Sequence, residues 1–110
     1  MKVIYRVNNN LSFELDGSGQ KDMFEQLAMV QEIFGQDVCG KCKSENLVYR
    51  IRENDGNKFY ELMCKKCFAV LSFGQHKIGG TLFPSKKDKG GDWLPDNGWT
   101  KWNKEKQIRE

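Results

Sequence analysis

Several things are missing from this sequence, and each absence narrows what the chain can be. No apolar run approaches the roughly 18–20 residues that cross a bilayer; Phe68-Ala69-Val70-Leu71 is among the longest. The N-terminus, Met1-Lys2-Val3-Ile4-Tyr5-Arg6, enters an alternating pattern directly, with neither the apolar block nor the small-residue cleavage site of a secretory leader. No membrane association is expected, and the expected compartment is the reducing cytoplasm. There is a single histidine, His76. No paired carboxylates and no nucleophile–base pair support catalysis, so the chain reads as a non-enzyme. Beyond two cysteine pairs there is no internal repeat, and no tract is of low complexity.

What is present suits one small domain. The 110 residues are 38% hydrophobic and 30% charged, the range in which a metal or disulfide often completes a modest core. The expected class is α+β: an N-terminal β-hairpin plus one helix (1–35), a zinc ribbon with a three-stranded antiparallel sheet and a following loop (36–84), and an irregular, basic, tryptophan-rich tail (85–110). Charge is unevenly spread along that order. Residues 1–38 carry three basic and six acidic side chains, whereas residues 64–110 carry ten and five. A positive C-terminal part hints at a polyanionic partner, although such an excess also serves solubility.

Val3, Tyr5 and Val7 alternate with polar residues, as do Leu11, Phe13 and Leu15, around Asn8-Asn9-Asn10. This predicts a hairpin over 2–16 whose turn uses the tolerance of asparagine for left-handed backbone. Asp16-Gly17-Ser18-Gly19 breaks the strand, with Ser18 as the expected N-cap. Met23, Leu27, Val30 and Phe34 then recur at helical spacing, broadened by Phe24, Ala28 and Ile33, and Gly35 is placed to end the helix in a left-handed cap. This stripe reads as core. Asn46–Glu53 and Lys58–Met63 read as strands around the turn Asn54-Asp55-Gly56-Asn57, and Phe68–Phe73 as a third. From Gly74 onward, glycines and prolines leave no room for a long element.

Cys39-Gly40-Lys41-Cys42 and Cys64-Lys65-Lys66-Cys67 are two C-x2-C units separated by 21 residues. Each unit can aim two thiolates at one ion, and a hairpin of the intervening length returns the second unit to the first. Zinc favours such a tetrahedron of four soft or borderline ligands. Lys41, Lys43, Lys65 and Lys66 would help hold the cysteines deprotonated. A redox dithiol fits less well, because it needs one reactive pair at a helix N-terminus. Four cysteines close the coordination shell, so one structural Zn²⁺ is expected, with Cys39, Cys42, Cys64 and Cys67 as ligands.

Arg50 and Arg52 alternate against Leu47, Tyr49 and Ile51 and should share one sheet face. Gln75-His76-Lys77 precedes Gly79-Gly80, a loop able to approach a phosphate or base edge, though no phosphate-loop consensus is present. Its plainer reading is a histidine hydrogen-bonded within a loop. Lys86, Lys87 and Lys89 then precede Trp93, Trp99 and Trp102, with Lys101, Lys104 and Lys106 beyond. Interleaved cations and aromatics suit single-stranded nucleic acid, whose phosphates and unpaired bases they meet. Trp93 and Trp99 read equally well as packing that covers a small sheet.

With these residues in view, the chain resembles small zinc-ribbon proteins encoded by tailed bacteriophages. The resemblance lies in the cysteine pairs, in Lys58-Phe59-Tyr60-Glu61-Leu62, in the run Phe73–Pro84, and in Trp93-Leu94-Pro95 with Asn97-Gly98-Trp99. One departure is Phe68, where such ribbons often carry glycine after the second cysteine turn. The resemblance implies a role in phage DNA metabolism or host takeover, in the cytoplasm of the host bacterium.

Three functions compete. The first is binding of nucleic acid, single-stranded DNA foremost, through Arg50, Arg52, Gln75, His76, Lys77, Lys86, Lys87, Lys89, Trp93, Trp99 and Trp102. The second is a protein-interaction or inhibitor module acting on a host or replication factor. The third is a nucleotide-ligand binder built on Gln75, His76 and the Gly-Gly loop.

Overall fold

A computed structural model describes residues 1–110, and their contacts divide the chain into two compact units, Met1–Asp37 and Val38–Glu110. The sequence suggested one domain with an internal boundary after residue 35. The fold is α+β, with one helix and several antiparallel sheets.

In the first unit, strands β1 (Lys2–Arg6) and β2 (Ser12–Asp16) pair antiparallel, with Val3 opposite Leu15 and Tyr5 opposite Phe13. The alternation puts these side chains on the half-buried face. The turn between the strands closes differently from expectation, since none of Asn8, Asn9 and Asn10 has a positive φ. Instead the Asn8 side chain takes the place of a backbone turn: its Oδ1 accepts the N–H groups of Asn10 (2.8 Å) and Leu11 (3.0 Å). Its Nδ2 donates to the carbonyl of Phe34 (3.2 Å), satisfying one of the orphan carbonyls at a helix end.

That helix, α1, spans Gln20–Phe34. Its N-cap is Gly19 rather than Ser18, and the Ser18 N–H donates to Asp22 Oδ2 at 2.8 Å. No side chain caps the helix N–H groups; Asp22 instead reaches back to the residue before the N-cap, and its charge suits the first turn. Gly35 closes the helix with φ of −82°, not in the left-handed region, and its N–H reaches the carbonyl of Gln31 at 3.0 Å. The buried stripe is narrower than its apolar residues suggest. Met23 is buried and Leu27, Val30, Ile33 and Phe34 are half-buried, whereas Ala28 is exposed and Phe24 is 74% exposed. Phe34 meets Phe13 of the hairpin with ring centroids 5.0 Å apart.

The second unit is built on a four-stranded antiparallel sheet: β3 (Leu47–Asn54), β4 (Asn57–Cys64), β5 (Val70–Gln75) and β6 (Leu82–Pro84), in that spatial order. The β3–β4 turn is the one the sequence signals. Asp55 and Gly56 both take positive φ, 52° and 80°, which suits the right-handed twist of the flanking strands. The third strand starts at Val70 rather than Phe68, because Phe68 and Ala69 complete the second cysteine turn. The fourth strand lies in a stretch the sequence left irregular. It pairs Phe73 with Pro84 and Gly74 with Phe83. Proline is tolerated because β6 is an edge strand. Gly74 is required because the Phe83 ring occupies the space a Cβ would fill.

Leu62 and Leu71 are fully buried at the centre of this unit, joined by Ala69, Val70, Phe73 and Trp99. Residues 85–110 are not an irregular tail. The Asp88 N–H donates to Asp92 and the Leu94 N–H to Lys86, closing a loop. Val70 and Thr100 then exchange backbone hydrogen bonds of 2.8 and 2.9 Å, which fastens the returning chain to β5. A last two-strand ladder joins β7 (Trp102–Asn103) to β8 (Ile108–Arg109). The buried part of this segment, around Trp99 and Thr100, is thus held by backbone hydrogen bonds.

Candidate metal centre

Leu47 lies opposite Cys64 in the β3–β4 ladder, so the hairpin base carries one cysteine pair before it and the other after it. Both pairs fold into the same turn. The Cys39 N–H donates to Ser44 (2.9 Å), and the Lys43 N–H returns to Cys39 (3.0 Å). In the second turn the Cys64 N–H donates to Ala69 (2.9 Å), and the Phe68 N–H returns to Cys64 (2.9 Å). Lys43 and Phe68 carry φ of 63° and 64°. Each turn reverses the chain through a left-handed residue placed directly after its second cysteine, and two thiols face inward.

The four sulfurs converge. Cys39 Sγ lies 3.6 Å from Cys67 Sγ, Cys42 Sγ lies 3.5 Å from Cys64 Sγ, and all four fall within 4.8 Å of one another. A tetrahedron with metal–sulfur bonds of about 2.3 Å has edges of about 3.8 Å, so the spacing suits one ion of that size. The four cysteines are thus positioned to coordinate a single metal ion. The N–H groups of Lys41 and Cys42 already donate to Cys39 Sγ at 3.3 and 3.5 Å, as they would to a bound thiolate. These contacts to sulfur come from backbone amides rather than from the lysines. Lys41 Nζ pairs with Asp96 Oδ2 at 2.6 Å, and Lys43 Nζ reaches the carbonyl of Gly40.

Burial opposes ionisation of Cys64, but the amides of Cys67 and Lys66 and the neighbouring thiols outweigh it and bring this group to about 6. Burial together with the thiols of Cys42, Cys39 and Cys64 pushes Cys67 up to about 12. A cation among the sulfurs would favour the thiolate form of each ligand.

The two turns differ in cover. Trp99 is 2% exposed and packs on Gly40, where a Cβ would collide with its ring and stand 2.6 Å from the carbonyl oxygen of Asp96. The turn Pro95–Gly98 that delivers Trp99 holds Asp96, Asn97 and Gly98 at φ of 53°, 56° and 89°, residue types for which left-handed backbone is least costly. Lys65, Lys66 and Phe68 on the second turn are all exposed.

The other expected binding residues are dispersed over this unit. Arg50 and Arg52 do share a sheet face, and both grip Glu61, which lies opposite Arg50. Arg50 Nη2 reaches Glu61 Oε1 at 2.9 Å and Arg52 Nε reaches it at 3.3 Å, while Arg52 also covers the Phe59 ring at 4.8 Å. Burial resists ionisation of Glu61, but the hydrogen bonds and charges of Arg52 and Arg50 prevail and hold its carboxyl below the usual 4.5. Gln75 donates to the backbone of Lys58 at 2.7 Å. His76 rests on Phe83 with ring centroids 4.9 Å apart. A pocket of about 150 Å³ lies beside Tyr60, Gln75, His76 and Gly80, well under the roughly 300–1,000 Å³ of ordinary small-ligand sites.

The tryptophans divide. Trp99 has no free face, whereas Trp93 and Trp102 are 67% and 48% exposed. Lys87 Nζ sits 4.6 Å from the Trp93 ring; Lys89 is exposed and Lys86 half-buried. Lys77 is exposed on the β5–β6 loop. Trp102 lines an open concavity of about 530 Å³ with Lys41, Lys101, Asn103 and Lys104, and with Glu105 and Glu110. Sequence reasoning did not join Lys41 to Trp102, because only the return of the chain through the Pro95–Gly98 turn brings them together. Comparison with protein families, with curated proteins and with solved structures finds no match for the chain.

Proposed function

We propose that this chain is a non-enzymatic zinc-ribbon protein that binds single-stranded DNA, with one zinc ion as scaffold. The observation that carries the reading is Trp102, a half-exposed ring in a concavity with Lys101 and Lys104, where Lys41 is paired with Asp96 and Glu105 and Glu110 offset part of the positive charge. A ring beside cations matches a base beside its phosphates, and the Lys87–Trp93 pair repeats the combination. The resemblance to phage ribbons directs the reading toward phage DNA metabolism. The sulfur-only donor set favours zinc among the common divalent ions. Four sulfurs would leave it no open position for catalysis.

Titration of the protein with a single-stranded oligonucleotide, followed by tryptophan fluorescence, tests this directly. Trp102 and Trp93 fluorescence should change on binding, and affinity should fall with salt by a slope of about −0.7 per phosphate contacted. Absence of binding at low salt would remove the proposal.

A second reading, a protein-docking module, is favoured by Ile78, 90% exposed at the β5–β6 loop, and Ile51, 64% exposed on β3. A single protein retained at fixed stoichiometry after nuclease treatment would support it.

A further inference from the structure

Six residues other than glycine have positive φ: Lys43, Asp55, Phe68, Asp96, Asn97 and Gln107. Aspartate and asparagine adopt this conformation with little penalty, and long polar side chains can extend into water. Phe68 is the apolar exception. It sits at φ of 64° and is 66% exposed, so its ring does not recover the backbone cost by burial. Glycine would make the same turn without that cost. The lysines preceding it, Lys65 and Lys66, are exposed and take part in no ion pair. The first cysteine turn, by contrast, is covered by Trp99. An aromatic ring thus stands at a strained and uncovered position, on a turn held by its backbone hydrogen bonds, just after two exposed cations of the same turn.

We propose that Phe68 is a base-stacking contact, with Lys65 and Lys66 meeting the flanking phosphates of a single DNA strand. This rests on the reading of the chain as a single-strand binder and assigns that binder a second contact, on a different element from the Trp102 concavity. The chemistry follows from the local charges. Two unpaired cations on the same turn as one exposed ring complement a polyanion with unstacked bases, whereas an apolar protein pocket would have to desolvate both ammonium groups. A ring on a turn closed by metal and hydrogen bonds also loses little freedom on stacking.

The test uses the full zinc-loaded chain and a fluorescein-labelled oligothymidylate at low salt. Phe68→Gly is expected to weaken binding about tenfold, within the range for loss of one stacked base, while raising the melting temperature. That opposite movement separates lost contact from lost fold. Phe68→Trp should retain affinity, and the Lys65→Ala, Lys66→Ala double variant should flatten the salt dependence by about two phosphate contacts. If the wild-type chain binds and Phe68→Gly binds equally well, the stacking assignment is overturned and the wider reading stands. If the wild-type chain does not bind, both fall together.

Discussion

Lys43 and Phe68 occupy the same position in two equivalent turns. Each follows the second cysteine of its pair, takes φ of 63° or 64°, and donates its N–H to the carbonyl of the first cysteine at 3.0 or 2.9 Å. The turn geometry therefore does not depend on glycine, even where the resemblance to phage ribbons leads one to expect it. The chain accepts strain at both places, and the positions can be probed as a matched pair.

Replacing either residue by glycine should stabilise the protein. Left-handed backbone costs an L-residue about 1–2 kcal/mol, and the greater freedom of glycine in the unfolded chain takes back part of this, leaving about 0.5–1 kcal/mol. Denaturant melts of Lys43→Gly and Phe68→Gly should both shift upward. A downward shift in both would mean that the turns are not strained.

Removal of the metal should be felt well beyond the cysteines. Chelation under reducing conditions is expected to unfold residues 38–73 cooperatively, because the ion ties together two turns that otherwise share only the hairpin base. Circular dichroism and hydrogen exchange would report the loss, and one equivalent of zinc should reverse it. An apo form that melts at the same temperature would contradict a structural role.

The three tryptophans should separate into two kinds. Trp99→Ala removes a ring that is 2% exposed and is expected to cost about 3–5 kcal/mol. Trp93→Ala and Trp102→Ala, at 67% and 48% exposed, should shift the melting temperature little. Their effect is expected in the oligonucleotide titration, where Trp102→Ala should weaken binding several-fold. Gly40→Ala should imitate Trp99→Ala, since the added methyl collides with the same ring.

Acid should weaken the sheet through Glu61. Its carboxyl is held below 4.5 in the folded protein by Arg52 and Arg50, so its contribution is present above that ordinary value and is lost as pH falls through the lower, folded value. Glu61→Gln should remove this part of the pH dependence. At neutral pH it should cost about 1–3 kcal/mol, the range for charge-assisted hydrogen bonds at a buried carboxylate. Melting curves for the two proteins that stay parallel from pH 7 to pH 3 would show that Glu61 is not the group responsible.

Much of this was legible in the linear chain because it rests on local rules. Strict alternation set the hairpin pairing of Val3 with Leu15 and Tyr5 with Phe13. The left-handed demand of Asp55-Gly56 set the β3–β4 turn. The C-x2-C spacing marked the four cysteines that converge. Caps and turns were less legible, because several short-range solutions lie close in energy: the helix begins at Gly19 with Asp22 reaching back to the Ser18 N–H, and the Asn8 side chain replaced a left-handed turn.

By itself, then, the sequence determined the first hairpin, the helix, the first three strands of the second sheet, the cysteine spacing and the cationic, aromatic character of the C-terminal half, each a consequence of spacing or composition. Only the tertiary structure decided which cations and rings are available. It spent Arg50 and Arg52 on Glu61, Gln75 on Lys58 and Trp99 on Gly40. It also spent Lys41 on Asp96 at the concavity of Trp102 and left Phe68 bare on its turn. The physical reason is that pairing and burial are settled between residues far apart in the chain, and spacing along it cannot say which of two equivalent side chains meets a partner first.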